Sequence, residues 1–377
     1  MTKKHTKHST LNRPKFGDYG RVEIALVGTK CSIIQEVANA IIKRLSSDYS
    51  IAYVDSDHSA FDNPNKGDYL DAGASSYVID KQESYALKQN AVLSKWDSNV
   101  FLNDKDVVLL NGNHHKGQNQ ILFVDGSKEK SVIKRLNQLT NVIGLIHVDG
   151  NLPKEVSDHV NANHIPTFSL NQHNEIAGLV ELTIKKNTPP IKALILAGGK
   201  STRMGADKAT LVYNQQKQLD RISEVLQTSV NNVFVSIRPD QSLDTNLPTI
   251  TDAFYGLGPM GAILSAFQSD PNAAWLVVAC DLPFVDESVL DELISQRSSK
   301  HIATAFLNHE TGFAEPLIAL WEPKSYMRML QFLAMGYSCP RKVLINSDTH
   351  LLTPSNPSKL ANINTPEEYR LAKERLD

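Results

Sequence analysis

The chain has 377 residues, of which 41% are hydrophobic and 21% charged, with a formal net charge of −2. At roughly 150 residues per domain, this length is that of two domains rather than one. Ordinary composition and balanced charge exclude a collagenous or low-complexity chain and a broad nucleic-acid coat, but not a small local phosphate site.

No window approaches the ~18 uninterrupted apolar residues of a membrane-spanning helix. The first twenty residues are basic, lack the apolar core of a signal peptide and read as a flexible tail. Cys31, Cys280 and Cys339 are few, odd in number and far apart. They form neither a disulfide framework nor a structural zinc pattern, so a reduced, cytoplasmic location is expected.

Order is predicted to begin at Val22–Val27, a short β-rich run closed by Gly28. Residues 32–45 then carry apolar side chains at helical spacing. Further strands are expected at Ile51–Val54, Val107–Leu110, Ile121–Val124 and Val142–Val148. Strands alternating with helices imply an α/β fold: two three-layer α/β/α domains with mainly parallel sheets, the second Rossmann-like. Lys185-Lys-Asn-Thr-Pro-Pro190 interrupts the pattern, because paired prolines continue neither a helix nor a central strand. The expected division is therefore a tail (1–20), a first domain (21–186), a linker (187–190) and a second domain (191–377). Strands of the second domain are expected at Lys192–Leu196, Val233–Ile237, Trp275–Ala279, Ile302–Ala305 and Leu317–Leu320.

The second half carries the most informative run, Leu196-Ala-Gly-Gly-Lys-Ser-Thr-Arg-Met-Gly-Ala-Asp-Lys208. A strand ends at Leu196, and Ala197, Gly198 and Gly199 open a loop at its carboxyl end, where open α/β sheets bind ligands. Glycines allow close approach and positive φ, and their free N–H groups can form an anion nest. Arg203 and Lys208 add positive charge suited to phosphates. Asp281, after the Trp275–Ala279 strand, is a hard oxygen donor suited to Mg²⁺. Asn364 could contact metal or phosphate, or merely precede a helix capped by Thr365 with Pro366 at its first position; both readings stay open. No Ser–His–Asp or Cys–His arrangement stands out, so no covalent enzyme intermediate is indicated.

The run from Leu196 to Lys208 resembles the nucleotidyltransferase signature of the molybdenum cofactor guanylyltransferases, the MobA family, L-A-G-G-x-x-x-R-M-G followed by D-K. The resemblance covers about residues 191–377. Thr251-Asp-Ala-Phe-Tyr-Gly-Leu-Gly-Pro-Met-Gly-Ala262 resembles the family's D…G-P-L-x-G segment, with Asp252, Gly258 and Pro259 on its marked positions. Cys280-Asp-Leu-Pro283 resembles C-D-x-P, whose aspartate holds magnesium, and Asn362–Glu368 resembles N-x-N-T-P-E-D/E. The resemblance implies Mg²⁺-dependent transfer of GMP from GTP to molybdenum cofactor (molybdopterin), with release of pyrophosphate. Leu196 to Gly199, Lys208, Asp252, Gly258, Pro259 and Asp281 would bind nucleotide, Arg203, Lys208 and Asp281 would act in catalysis, and Asp281 with Asn364 would hold the metal. Cofactor insertion proteins or target molybdoenzymes are implied as further partners, with no nucleic acid and no membrane. Glu315-Pro316 departs from the family's His–Pro, on the acceptor side. The residues alone do not separate GTP from CTP. A sugar- or polyol-phosphate nucleotidyltransferase and a non-catalytic cofactor-binding scaffold remain as alternatives.

In the first half, Gly28-Thr-Lys-Cys-Ser32 sits where a P-loop would, but lacks the G-x-x-x-x-G-K-S/T pattern. This half resembles the small GTP-binding partner of the guanylyltransferases, the MobB family. Ile51–His58 with Phe61-Asp62, Lys66–Ala74 and Val108–Asn113 carry that resemblance, with Asn111 replacing an acid. The departures fall on the phosphate loop, so a degenerate partner domain is expected, kept for docking, dimerisation or holding the pterin. His58, His114 and His115 read as loop histidines rather than metal ligands, because no further ligand has recognisable spacing.

Overall fold

The computed structural model describes residues 20–56, 73–81, 83–89, 91, 94–198 and 208–376. The first half runs β1 (Val22–Val27), α1 (Cys31–Leu45), β2 (Ile51–Val54), β3 (Ser76–Asp80), β4 (Tyr85–Gln89), α2 (Lys95–Leu102) and β5 (Val107–Asn111). It continues through β6 (Asn119–Asp125), α3 (Glu129–Ile133), β7 (Val142–Asp149), α4 (Lys154–Val160), β8 (Thr167–Ser169) and α5 (His173–Lys186). Among the described residues, six strands form one sheet in the order β2-β5-β1-β6-β7-β8, every pair parallel.

The helical spacing in α1 is used as expected: Ile34, Val37, Ala38, Ile41 and Leu45 face the sheet and are buried with Ile24, Leu26 and Leu109. A stripe at i, i+3, i+4 and i+7 buries one helix face and leaves the other in water. Apart from Glu23 and Asn111, the strands β1 and β5 are apolar on both faces, as a sheet covered by helices on both sides requires. The β3–β4 hairpin was not foreseen; it pairs Ser76 with Gln89 through Asp80 with Tyr85 outside the main sheet.

The second half runs β9 (Ile191–Leu196), β10 (Val212–Tyr213), β11 (Gln216–Lys217), α6 (Gln218–Ser229), β12 (Val233–Ile237), β13 (Thr249–Thr251), α7 (Pro259–Ser269) and β14 (Ala274–Ala279). It ends with α8 (Glu287–Ser295), β15 (Ala303–Leu307), β16 (Ala314–Trp321), α9 (Ser325–Ala334), α10 (Pro340–Ile345), β17 (Thr349–Leu352) and α11 (Pro366–Leu376). Seven of these strands form a sheet ordered β13-β12-β9-β14-β16-β15-β17. Its strands are parallel except β16, which runs antiparallel to β14 and β15. An apolar run does not state its direction, so period alone could not reveal the reversal. All six residues of β14 are buried, and the fully buried Trp275 and Trp321 face each other on one rung between β14 and β16.

Helix α5 runs through Lys186, the last residue before the 187–190 segment. The Pro-Pro segment is held in place. The Pro189 carbonyl accepts a hydrogen bond from Arg297 (2.9 Å), and the Pro190 carbonyl accepts one from the Ala274 N–H (3.0 Å). Arg297 in turn grips Glu322 with two hydrogen bonds of 2.7 and 2.8 Å. Gly20, assigned to the tail from sequence, packs on this segment with φ +76°; a Cβ there would lie 2.4 Å from Pro189 Cγ.

The halves meet through the amino ends of their parallel strands. Asp106, just before β5, pairs with Lys324, which follows β16, at 2.8 Å, and both side chains are less than a tenth exposed. Asp106 also accepts the Ser50 N–H, Lys324 donates to the Lys300 carbonyl, and Asn103 donates to the Lys324 carbonyl. Lys300 reaches back to the Ser47 carbonyl at 2.7 Å. Because amino ends face amino ends, the carboxyl ends of the two sheets, where α/β folds bind ligands, point away from each other. Among the described residues, no helix is long and apolar enough to cross a membrane.

Candidate active site

At the carboxyl edge of the second sheet, β9 delivers Leu196, Ala197 and Gly198. Gly199, Arg203 and the run through residue 207 lie outside the described residues, as does the Lys208 side chain; the Lys208 backbone opens a short 3₁₀ turn to Thr210. The Leu196 carbonyl accepts the Cys280 N–H at 3.3 Å, which fixes the ends of β9 and β14 side by side.

Two residues that the sequence reading missed hold the start of the glycine loop. Gln241 donates to the Ala197 carbonyl (2.9 Å), and Arg238 donates to the Gly198 carbonyl. Both lie just past the end of β12, the strand beside β9. The signal was available, since an arginine directly after a strand adjacent to a phosphate-type loop stands at the same edge. Gly198 does not adopt the positive φ expected of it. A Cβ there would make only ordinary contacts, 3.5 Å from Arg238 Cγ and 3.8 Å from Asp252 Oδ2. The absent side chain leaves room at the edge and does not serve a turn.

Asp252 follows β13, and its N–H donates to the Ile237 carbonyl at 2.9 Å. Its carboxylate accepts the Ser236 hydroxyl at 2.9 Å. Burial pushes this carboxyl above its usual range, against the opposing effects of the Ser236 hydrogen bond and the Arg238 charge. Downstream, Gly258 has φ +57° and ψ −139°, a region open essentially to glycine alone, and Pro259 opens α7. Gly261 is needed for another reason: a Cβ would lie 2.3 Å from the Phe254 carbonyl. Ser265 ties the segment to α7, accepting the Ala253 N–H and donating to the Gly261 carbonyl. The Gly-Pro-x-Gly pattern thus serves helix entry and packing, and it fixes the loop that carries Asp252.

Asp281 stands past the end of β14, partly exposed. Its carbonyl accepts the Ile363 N–H at 2.8 Å, which brings Asn364 beside it across a long sequence gap. The Asn364 and Thr365 N–H groups donate to Glu368, and the Glu368 N–H donates to the Thr365 hydroxyl. This reciprocal box caps α11, with Pro366 at its first position. The capping reading of this segment is therefore present, and the same segment adjoins Asp281. Gly198, Asp252 and Asp281 stand at one edge of one sheet, with Asn364 reached through Ile363.

The carboxyl edge of the first sheet is built differently. Only Gly28, Thr29 and Lys30 separate β1 from α1. Gly28 has φ +106°, and a Cβ would press on the Phe123 carbonyl at 2.8 Å. The fully buried Thr29 donates its hydroxyl to Asp125 (2.6 Å), while its carbonyl accepts Asn113 (2.8 Å). Arg135 clamps Asn113 at 3.1 Å. Asn111 and Tyr53 each donate to Asp55 at 2.8 Å, and Gln35 donates to it at 3.1 Å. Burial opposes ionisation of Asp125 and Asp55, but these hydrogen bonds outweigh it and hold both carboxyls below their usual range. A phosphate cradle needs a run of free backbone N–H groups; here the turn between β1 and α1 is only three residues long, and Thr29 is tied through its hydroxyl and its carbonyl. His114 lies 3.5 Å from Cys31 Sγ and His115 3.1 Å from Ser56 Oγ; His58 lies outside the described residues. Among the described residues, no group of three or more His, Cys, Asp and Glu is placed to hold a metal ion.

The MobA-like NTP transferase domain family matches residues 193–349. The chain is 39% identical over 183 residues to a molybdenum cofactor biosynthesis bifunctional protein from Synechocystis sp., covering 48% of this chain and about half (53%) of that relative's length. It is 30% identical over 200 residues to a molybdenum cofactor guanylyltransferase from Xanthomonas euvesicatoria pv. vesicatoria, covering 50% of this chain and 97% of that protein. A solved structure, molybdopterin-guanine dinucleotide biosynthesis protein A from Archaeoglobus fulgidus, aligns at 20% identity and a TM-score of 0.43, covering 49% of this chain and 97% of that one. With nearly the whole length of the Xanthomonas enzyme matched and the transferase domain lying in the second half, the chain belongs to the molybdenum cofactor guanylyltransferase family.

Proposed function

We propose that residues 191–377 transfer GMP from GTP to the phosphate of molybdopterin. An acceptor phosphate oxygen attacks the α-phosphorus, the bond to the bridging oxygen breaks, and pyrophosphate leaves. The observation that carries this reading is the gathering of Gly198, Asp252 and Asp281 at one sheet edge, with Asn364 beside Asp281. The attacking oxygen is already anionic, so no general base is required. What remains is positioning and the stabilisation of charge.

The backbone of Leu196 to Gly199 lies against the nucleotide, with Arg238 and Gln241 holding the Ala197 and Gly198 carbonyls aside. Lys208 reaches the phosphates and Arg203 stabilises the leaving pyrophosphate. Asp252, fixed between Ser236 and the Gly258-Pro259 loop, takes N–H or O–H donors of the base or ribose. The donor types at the β14 tip, the Asp281 carboxylate and the amide of Asn364, which follows Asp281's backbone partner Ile363, suit Mg²⁺, so Asp281 with Asn364 as a weaker partner would hold it. A bound Mg²⁺ would neutralise triphosphate charge. Pyrophosphate release with GTP, but not CTP, and only with molybdopterin present, is the expected result; preference for CTP would move the chain to cytidylyl transfer.

Asp252 gives a pH test. Its folded-state pKa is raised, so the folded protein takes up this proton more readily than the unfolded chain does. Its contribution to stability therefore grows as pH falls from the raised folded value to the ordinary carboxylate value, and is lost above that window. Asp252→Asn, which keeps an oxygen for Ser236, is expected to match or exceed the parent's melting temperature at pH 8 while weakening GTP binding. Lower stability at pH 8 would show that the charge is compensated by a partner beyond Ser236 and Arg238.

The first half, residues 21–186, is a MobB-like domain that has lost its phosphate site. The tied Gly28–Lys30 turn supports this. Titration of the full chain with GTP and Mg²⁺ should give one site per chain, abolished by substitutions at the second-half edge. A second tight site that survives those substitutions would contradict the loss. The opposed carboxyl edges do not support holding of the pterin by this half for the second-half site of its own chain.

A further inference from the structure

At the β14–β16 junction the last paired rung joins Val278 to Ile318. Asp281 lies three residues past it on one strand, and Glu315 three residues before it on the antiparallel neighbour. Both therefore stand at the same edge, on strands about 5 Å apart. A register shift against β15 between Ala305 and Leu307 leaves residues 315–318 bulged. Bulges re-aim side chains and accommodate proline within a strand. Here the Pro316 carbonyl is recovered by the Trp321 indole N–H at 3.3 Å.

The re-aimed Glu315 accepts Asn308 on one carboxylate oxygen and the Arg341 guanidinium (3.2 Å) on the other. Glu315 is mostly buried, but the Arg341 side chain is 40% exposed. Its shielded Nε–H has no partner among the described residues. A guanidinium carries five donors in a planar fork, and one pairing with Glu315 leaves most of them for an oxyanion. Phe313, which precedes this site on the same strand edge, exposes about half of its surface. A cation with donors to spare, at the same sheet edge as an exposed apolar ring, suits an aromatic heterocycle that carries a phosphate.

We propose that Arg341, oriented by Glu315, receives the phosphate of the acceptor, on the side of Asp281 opposite Asp252. This rests on the transfer reading above and adds the acceptor's binding residue to it. Strand order supports the placement: β13 and β12, carrying Asp252 and Arg238, lie on one side of β14, and β16 and β15 on the other. Glu315 is a positioning residue. It also balances the charge that Arg341 would otherwise bring to a partly shielded site.

The test uses the full chain with two readouts. One is GMP transfer with molybdopterin and GTP varied separately. The other is fluorescence anisotropy of an oxidised pterin phosphomonoester, which requires no transfer. Arg341→Ala is expected to raise the KM for molybdopterin and the Kd for the pterin phosphate at least tenfold, with the Kd for GTP within twofold of the parent. Arg341→Lys should recover part of the loss, because it keeps the charge without the fork. Glu315→Gln should raise the acceptor KM severalfold with kcat largely kept. Unchanged pterin phosphate binding in Arg341→Ala, an equal loss of GTP affinity, or no binding of the probe by the parent chain would overturn the proposal. A parent chain that binds the probe through Arg341 yet transfers no GMP would instead overturn the transfer reading and leave this assignment standing.

Discussion

Replacing Asp281 with alanine is expected to lower GMP transfer by ~10³-fold, the several kcal/mol that a metal ion supplies to a phosphoryl-type transition state. The fold should survive, because the backbone bonds at this tip remain: the Asp281 carbonyl holds the Ile363 N–H, and Cys280 holds Leu196. The expected signature is a collapse of kcat with an unchanged circular dichroism spectrum and melting temperature. Asp281→Asn should restore little, since a neutral amide is a weaker ligand for a hard dication. Asn364→Ala should cost less, because the adjoining cap is made by Thr365, Glu368 and the Asn364 backbone. Normal turnover in Asp281→Ala, assayed as pyrophosphate release, would remove the metal assignment and return the second half to a binding role.

The second large effect is on stability. Lys324→Ala should cost ~3–5 kcal/mol, because it leaves the buried Asp106 carboxylate without its counter-charge. Asp106→Ala should cost about as much, and it also releases the Ser50 N–H. Replacing both residues by apolar side chains of similar volume should recover most of the loss, since a buried pair is stabilising mainly against its own half-removed forms. Urea unfolding of the two single variants and the double variant forms the cycle. Additive losses would show that the two charges do not act on each other across the junction. Because the pair joins residues from the two halves, the single variants should also separate one unfolding transition into two.

The fold was legible where burial writes a period. The α1 spacing, the β1 and β14 apolar runs and the Pro189-Pro190 break each follow from one local rule, and each appears within a residue or two of its expected place. Less legible were features that depend on a partner strand. The reversal of β16, the bulge at Glu315-Pro316 and the β3–β4 hairpin all arise from pairing between segments, and an apolar run reads the same in either direction. The site divides in the same way. Asp252, Asp281 and Asn364 are candidates read from motifs, whereas Arg238, Gln241 and Arg341 carry no motif and are tied to carbonyls or a carboxylate distant in sequence. Of the two properties read for Gly198, close approach and positive φ, its backbone does not use the second.

By itself the sequence determined the two α/β halves, the nucleotidyltransferase signature in the second and the loss of the P-loop pattern in the first. Those are properties of residue type and spacing, set by local backbone preference and by which faces must leave water. Only the tertiary structure decided that the halves join at the amino ends of their strands through Lys324 and Asp106, with their ligand edges opposed. It alone tied Thr29, in the first half's short β1–α1 turn, to Asp125 and Asn113, with Arg135 on Asn113. Contacts of that kind depend on distance in space, and a hydrogen bond or buried ion pair forms between whichever groups the packed core brings within reach.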